Sequence, residues 1–293
     1  MTELLPILLK ITVVIFMVGN LLELGLRLDL KKAMAGLRDV RFVTLSLLWA
    51  FALCPALAYA LGIILPLPEP YAMGLLLLGL APCAPLLPGM VDKAHGDVNY
   101  AASFMLLASA GTVIYMPLAV PLLVKGLTVS AWTVAQPMLF LVMIPLVVGM
   151  GIQLRRPSLA WFLQPWVKKI TAVDTLLMLA VVVVMYAKGF AASIGTWAIL
   201  AQVLFFTLTI VASYALAFGV PPRRKSVLTL GLSTRNCGAA LAPLFVAQGV
   251  APEATVMVTL GIPMMGLFSF IAALAFARRA GPADGALSAA AQT

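Results

Sequence analysis

Hydrophobic and polar positions in this chain fall into long apolar blocks separated by short polar links. Roughly 20 apolar residues cross the hydrocarbon core of a bilayer as a helix. Nine blocks reach that length, at about 5–26, 42–65, 71–91, 99–124, 131–153, 166–187, 193–219, 226–248 and 254–277. Most are apolar all round, which suits membrane spans better than surface helices with a single apolar stripe. The pattern predicts an all-α membrane protein of nine transmembrane helices. Residues 1–280 form one transmembrane domain, followed by a small, polar, disordered tail from Gly281 to Thr293. The first block is too long for a signal peptide, carries Glu23 near its end and runs into a basic link, so it is expected to stay as a span.

The links set the orientation. Arg27, Lys31, Lys32, Arg38 and Arg41 follow the first span, whereas 66–70 carries only Glu69. Lys93 and His95 share the third link with Asp92 and Asp97, and Lys125 stands alone in the fourth. Arg155, Arg156, Lys168 and Lys169 mark the fifth, Lys188 the sixth, Arg223, Arg224 and Lys225 the seventh, and Glu253 the eighth. The chain leaves its last span at Arg278 and Arg279. Basic links alternate with neutral or acidic ones, which places the N-terminus outside and the C-terminus in the cytoplasm of a plasma membrane, the inner membrane if the source is bacterial.

Composition narrows the class. Of 293 residues, 63% are hydrophobic and 10% charged. Soluble domains average about 45–50% apolar and about 25% charged, so a soluble enzyme, a nucleic-acid binder and a disordered chain are excluded. The net charge of +9 belongs to the links and is explained by the bilayer. Cys54, Cys83 and Cys237 lie within apolar blocks, an odd set with no disulfide framework and no metal spacing. Small residues are spread throughout, so they single out no oligomer face.

Two spans are unsuited to regular helix. The third contains Ala81-Pro82-Cys83-Ala84-Pro85-Leu86-Leu87-Pro88-Gly89, whose three prolines remove backbone donors and favour extended conformations. The eighth contains Gly231-Leu232-Ser233-Thr234-Arg235-Asn236-Cys237-Gly238, a polar patch bounded by glycines. Irregular backbone at membrane depth is tolerated only where it packs on protein or lines a cavity. Paired interruptions in the two halves of a chain point to a transporter of inverted repeats that binds its substrate near the midplane. The simpler reading is a pair of proline kinks with polar residues making inter-helix hydrogen bonds.

Arg235 lies about ten residues from either end of its block, at a cost of at least about 2.5–3.5 kcal/mol on insertion scales. Lys10, Lys125 and Lys188 are near enough to an outer end to snorkel. Arg235 must instead face a polar cavity or a partner. It keeps its charge and presents a planar fork suited to carboxylate, sulfonate or phosphate. The alternative is an internal ion pair with Asp174 in the sixth span or Glu23 in the first. Ser233, Thr234 and Asn236 add polar groups beside it, and Ser109 and Thr112 in the fourth span are candidates to add more. These residues, with Pro85 and Pro88 of the proline-rich span, form the candidate substrate site. Asp174 is the candidate for proton coupling, and His95 reads as a solvated loop residue.

The order of these motifs resembles the bile acid:sodium symporter family over nearly the whole chain. The likeness rests on Gly25-Leu26-Arg27-Leu28, on the proline-rich third span followed by Ala94-His95-Gly96-Asp97, and on Asn236-Cys237-Gly238-Ala239-Ala240-Leu241. The resemblance implies two inverted repeats. It implies a core domain (about 42–125 and 193–278) with two broken crossing helices, and a panel domain (about 5–30 and 131–190). Substrate binds between the two, and they move for alternating access. Family members mostly import organic anions, such as bile acids or pantoate, with sodium. The family pattern places a Glu early in the eighth-span crossing, a Gln before the Asn, and Ser-Asn in the third span. Here Gly231, Arg235 and Leu87-Pro88 stand at those places. Sodium needs hard oxygen ligands and negative charge nearby. The replacement argues against sodium coupling and for Arg235 as a tethered cation serving a small anionic substrate, with no other cofactor.

Gly79-Leu80-Ala81-Pro82-Cys83 with Gly96-Asp97 and Tyr100-Ala101-Ala102 is also similar to the arsenite efflux permeases of the same superfamily. Metalloid efflux is therefore an alternative, with Cys83 as the soft ligand. A non-transporting sensor of the same fold is another. HExxH, GxSxG and paired intramembrane aspartates are absent, so no enzyme is expected.

Overall fold

The computed structural model describes residues 4–124, 130–247 and 249–280. Lys125 and the tail from Gly281 to Thr293, expected to be disordered, lie outside the described residues. The chain is all-helical. Among the described residues, seven helical stretches are long and apolar enough to cross a membrane: Leu4–Arg27, Val40–Ile64, Val98–Leu123, Ala131–Arg155, Pro157–Ser193, Ala198–Ala215 and Pro252–Arg279. The protein is thus a multi-pass membrane protein.

In chain order, α1 (Leu4–Arg27) is followed by the short α2 (Leu30–Leu37). α3 (Val40–Leu48) passes through a π-helical turn, Trp49–Leu53, into α4 (Cys54–Ile64). α5 (Glu69–Leu80) and α6 (Leu87–Lys93) occupy the proline-rich block, and α7 (Val98–Leu123) follows. α8 (Ala131–Met138) continues through a second π turn, Leu139–Met143, into α9 (Ile144–Arg155). Each π turn is followed two residues later by a proline, Pro55 or Pro145. The ring has no N–H to donate, so a helix slips register there with little loss. α10 (Pro157–Ser193), α11 (Ala198–Ala215), α12 (Pro222–Ser233), α13 (Cys237–Val246) and α14 (Pro252–Ala280) complete the chain.

Two features differ from the sequence expectation. The first link contains α2, whose eight residues are too few to register as a block. α10 begins at Pro157 rather than near 166, because Pro157 suits the first helical turn and the amphiphilic stretch before Lys168 continues the helix. As the prolines and the glycine-bounded polar patch predict, the third and eighth blocks are each two helices joined by a short non-helical segment.

α1 packs most extensively on α10 and α9. At its α9 contact the backbones nearly touch. A Cβ built on Gly25 would lie 2.9 Å from the Gly149 Cα, and one on Gly149 would lie 2.9 Å from the Gly25 Cα. Small residues permit the close approach that packs membrane helices where the hydrophobic effect is absent. α5 packs on α4 and α14, and α12 on α11, α7 and α14.

One end of the bundle is laced together by polar contacts. The Asp39 carboxylate caps α3 by accepting from the Phe42 N–H at 3.1 Å. It also accepts from the Tyr100 hydroxyl at 3.1 Å and from Arg224 at 3.0 Å, and the Arg224 guanidinium lies 4.3 Å from the Tyr100 ring centre. α3, α7 and α12 are joined at their first turns by this one carboxylate.

Candidate functional site

The two breaks meet. After α5 ends at Leu80, residues 81–82 run extended. After α12 ends at Ser233, residues 234–236 do the same, and Pro82 pairs antiparallel with Arg235. The Cys83 N–H donates to the Thr234 carbonyl at 2.9 Å, and the Asn236 N–H donates to the Ala81 carbonyl at 3.0 Å. Pro82 therefore sits at the position whose N–H the ladder does not use, and its missing donor costs nothing there. This pairing answers the hydrogen-bond demand of broken helices inside a bilayer. Cys83 adopts φ 66° to make it, an uncommon conformation for a residue with a side chain.

Arg235 is completely buried. Its Nη1 donates to the Gly79 carbonyl at 3.3 Å, and its guanidinium carbon lies 5.0 Å from the centre of the Phe205 ring. Its backbone N–H meets the Met265 sulfur at 3.3 Å. Among the described residues, Nε and Nη2 have no hydrogen-bond partner. Neither acid weighed as a counter-ion neutralises it. Glu23 accepts from Gln164 at 2.6 Å and lies 3.8 Å from Arg27. Asp174 is buried on α10, and among the described residues its Oδ2 has no partner. The positive charge thus stands against a carbonyl and an aromatic face, both weak compensation for a desolvated guanidinium.

The other candidate residues divide. Thr234 and Ser233 are fully buried. Thr234 bonds back to the Leu230 and Gly231 carbonyls, and Ser233 reaches the Ser269 hydroxyl on α14 at 2.9 Å. Asn236 caps α13 through the Ala239 N–H at 3.1 Å, and the adjacent Gly238 lies against Met17 and Phe16 of α1. Ser233, Thr234, Arg235 and Asn236 form one assembly with Pro82 and Cys83. Ser109 and Thr112 on α7 are buried, but Thr112 bonds to its own helix at Ala108, and among the described residues neither is hydrogen-bonded to Arg235. Pro88 sits in the first turn of α6, and Pro85 lines a separate cleft. His95 is an exposed loop residue with φ 52°.

That cleft, about 360 Å³, lies between α1, α6 and α10. Arg27, Lys93 and Lys168 line it with Glu23, Asn20 and Thr171, so its charged groups sum to a positive wall. Sequence reading used these cations only to orient the chain. The signal that singles them out is that Arg27 and Lys93 each close a helix beside a break or its neighbour in space. Asp174 stands one turn beyond Thr171, on the α10 face that packs against α1 at Gly19.

Gly231, on α12, packs directly against α7. A Cβ there would collide with the Phe104 ring of α7. A larger side chain at this position would have to displace that ring.

Residues 13–193 match the sodium bile acid symporter family. The chain belongs to this family, and its class of function is membrane transport. None of the curated proteins matches it. The match ends at Ser193, so the first break lies inside it and the Arg235 break beyond it.

Proposed function

We propose that this protein is a secondary transporter of small organic anions that works by alternating access without sodium, with Arg235 as the tethered cation in sodium's place. The observation that carries the reading is the buried Arg235 guanidinium, with two nitrogens unpartnered at the meeting point of the breaks. A fixed charge there supplies what a bound cation supplies elsewhere, and the Phe104 ring removes room for a carboxylate ligand to sodium.

In this reading nine segments cross the membrane, counting each broken pair once, and the two breaks are corresponding parts of two inverted repeats. The packing of α1 with α9 and α10 supports a panel distinct from a core that holds both breaks. The anion enters by the basic cleft between α1, α6 and α10, which faces the cytoplasm of a plasma or inner membrane by its charge. Asp174, buried with an unpartnered oxygen, is the site for a coupled proton.

The test is counterflow in proteoliposomes made in choline buffer free of sodium, with a bile acid, pantoate and an alkyl sulfonate as labelled solutes. Trans-accelerated exchange of at least one anion is expected. Binding without exchange would make the protein a sensor, and movement of arsenite alone would assign it to metalloid efflux through Cys83.

A further inference from the structure

A second cationic feature lies on the outer side of α11 and α14. Between α11 and α14 runs an apolar groove of about 480 Å³. Val211 and Ile271 on its rim are more than half exposed. Along α14 the groove extends from Phe268 to Arg279. At 1.5 Å per residue that is roughly 16 Å, close to the depth of one hydrocarbon leaflet. It does not end in an apolar wall. Tyr214 stacks on Phe276 with ring centres 4.6 Å apart, and two cations converge on the Tyr214 ring. Arg279 from α14 lies 5.7 Å from its centre and Lys225 from α12 lies 5.8 Å. Among the described residues no carboxylate pairs with either.

The ring alone is weak compensation for two cations that, among the described residues, no carboxylate neutralises. The position selects the anion. An apolar channel about one leaflet long, with exposed apolar rims, Arg279 in its lining and Lys225 against the same tyrosine ring, suits the shape and charge of a phospholipid carrying net negative charge. We infer that the groove binds an anionic glycerophospholipid, with one acyl chain along α11 and α14 and the phosphate between Lys225 and Arg279. A zwitterionic lipid brings its own cation to the same place and is disfavoured. Each basic side chain near an anionic headgroup contributes enough that the pair predicts a preference on the order of thirtyfold.

The protein is reconstituted in nanodiscs of equal phosphatidylglycerol and phosphatidylcholine, released into detergent, and read by native mass spectrometry. Wild type should retain one phosphatidylglycerol in preference to phosphatidylcholine. The double variant Lys225→Gln/Arg279→Gln should lose that preference, and Ala275→Trp, which fills the groove and leaves both cations, should lose the bound lipid. The thermal stability of all three in detergent without added lipid should agree, which separates lost binding from lost folding. Equal retention of the two lipids by wild type would overturn the inference, as would unchanged retention by the double variant. Displacement by soluble glycerol 3-phosphate at concentrations equal to the lipid would also overturn it, because the groove would then contribute nothing.

Discussion

At the scale of single residues, the central fact is a guanidinium in an apolar interior with one carbonyl bond and an aromatic neighbour. A charge-assisted hydrogen bond contributes about 1.5–3 kcal/mol. Arg235→Gln should therefore weaken anion binding by about ten- to a hundredfold, measured by ligand-induced thermal shift. Gly231 gives an independent test. Gly231→Ala must displace Phe104 and should cost about 1–3 kcal/mol of stability as overpacking, and Phe104→Leu in the same chain should recover part of it. Gly231→Glu alone should not create sodium dependence, because the ring occupies the space. Arg235 was legible in the sequence through depth and charge alone, and the two breaks through their prolines and glycines. Phe205, Phe104 and Met265, which surround them, were not. They are ordinary apolar residues of distant spans, and only the fold gives them a role.

Among the elements, the polar lacing of α3, α7 and α12 depends on Asp39. Burial raises its carboxyl, but the Phe42 N–H, the Tyr100 hydroxyl and the Arg224 guanidinium outweigh burial and hold it below its ordinary range. Its contribution is thus complete above the ordinary carboxylate range, near pH 4, and fades as pH falls through the lowered value. Thermal melts of wild type and Asp39→Asn should differ at pH 7 and converge on acidification below that range. The α1–α9 contact has no room for a side chain. Gly149→Val should separate the two helices and lower stability by several degrees, whereas the same change at Gly151, which has open space around it, should be mild. The spans were readable within a few residues because length and hydropathy decide them. The short α2, the π turns and the early start of α10 were not, since each depends on local backbone accommodation rather than on an apolar run.

For the whole molecule, the family match defines a membrane transporter, and under the proposed reading the cations of the α1–α6–α10 cleft serve to draw in an anionic solute. Lys93→Gln and Lys168→Gln should each lower anion uptake about two- to fivefold, in a salt-sensitive way, because exposed charges act over a Debye length of about 8 Å at physiological ionic strength. The cleft was hidden in the sequence because its walls come from three separated elements. The most direct test of the account is the thermal stability of purified protein against bile acids, pantoate, 2-oxo and hydroxy acids, sulfonates and arsenite, in sodium and in choline, for wild type and Arg235→Gln. Ligand binding to the folded state raises apparent stability by mass action. The account predicts an anion-induced shift that is the same in both salts and is lost in the variant. A shift that requires sodium, or one that survives unchanged in Arg235→Gln, would contradict it.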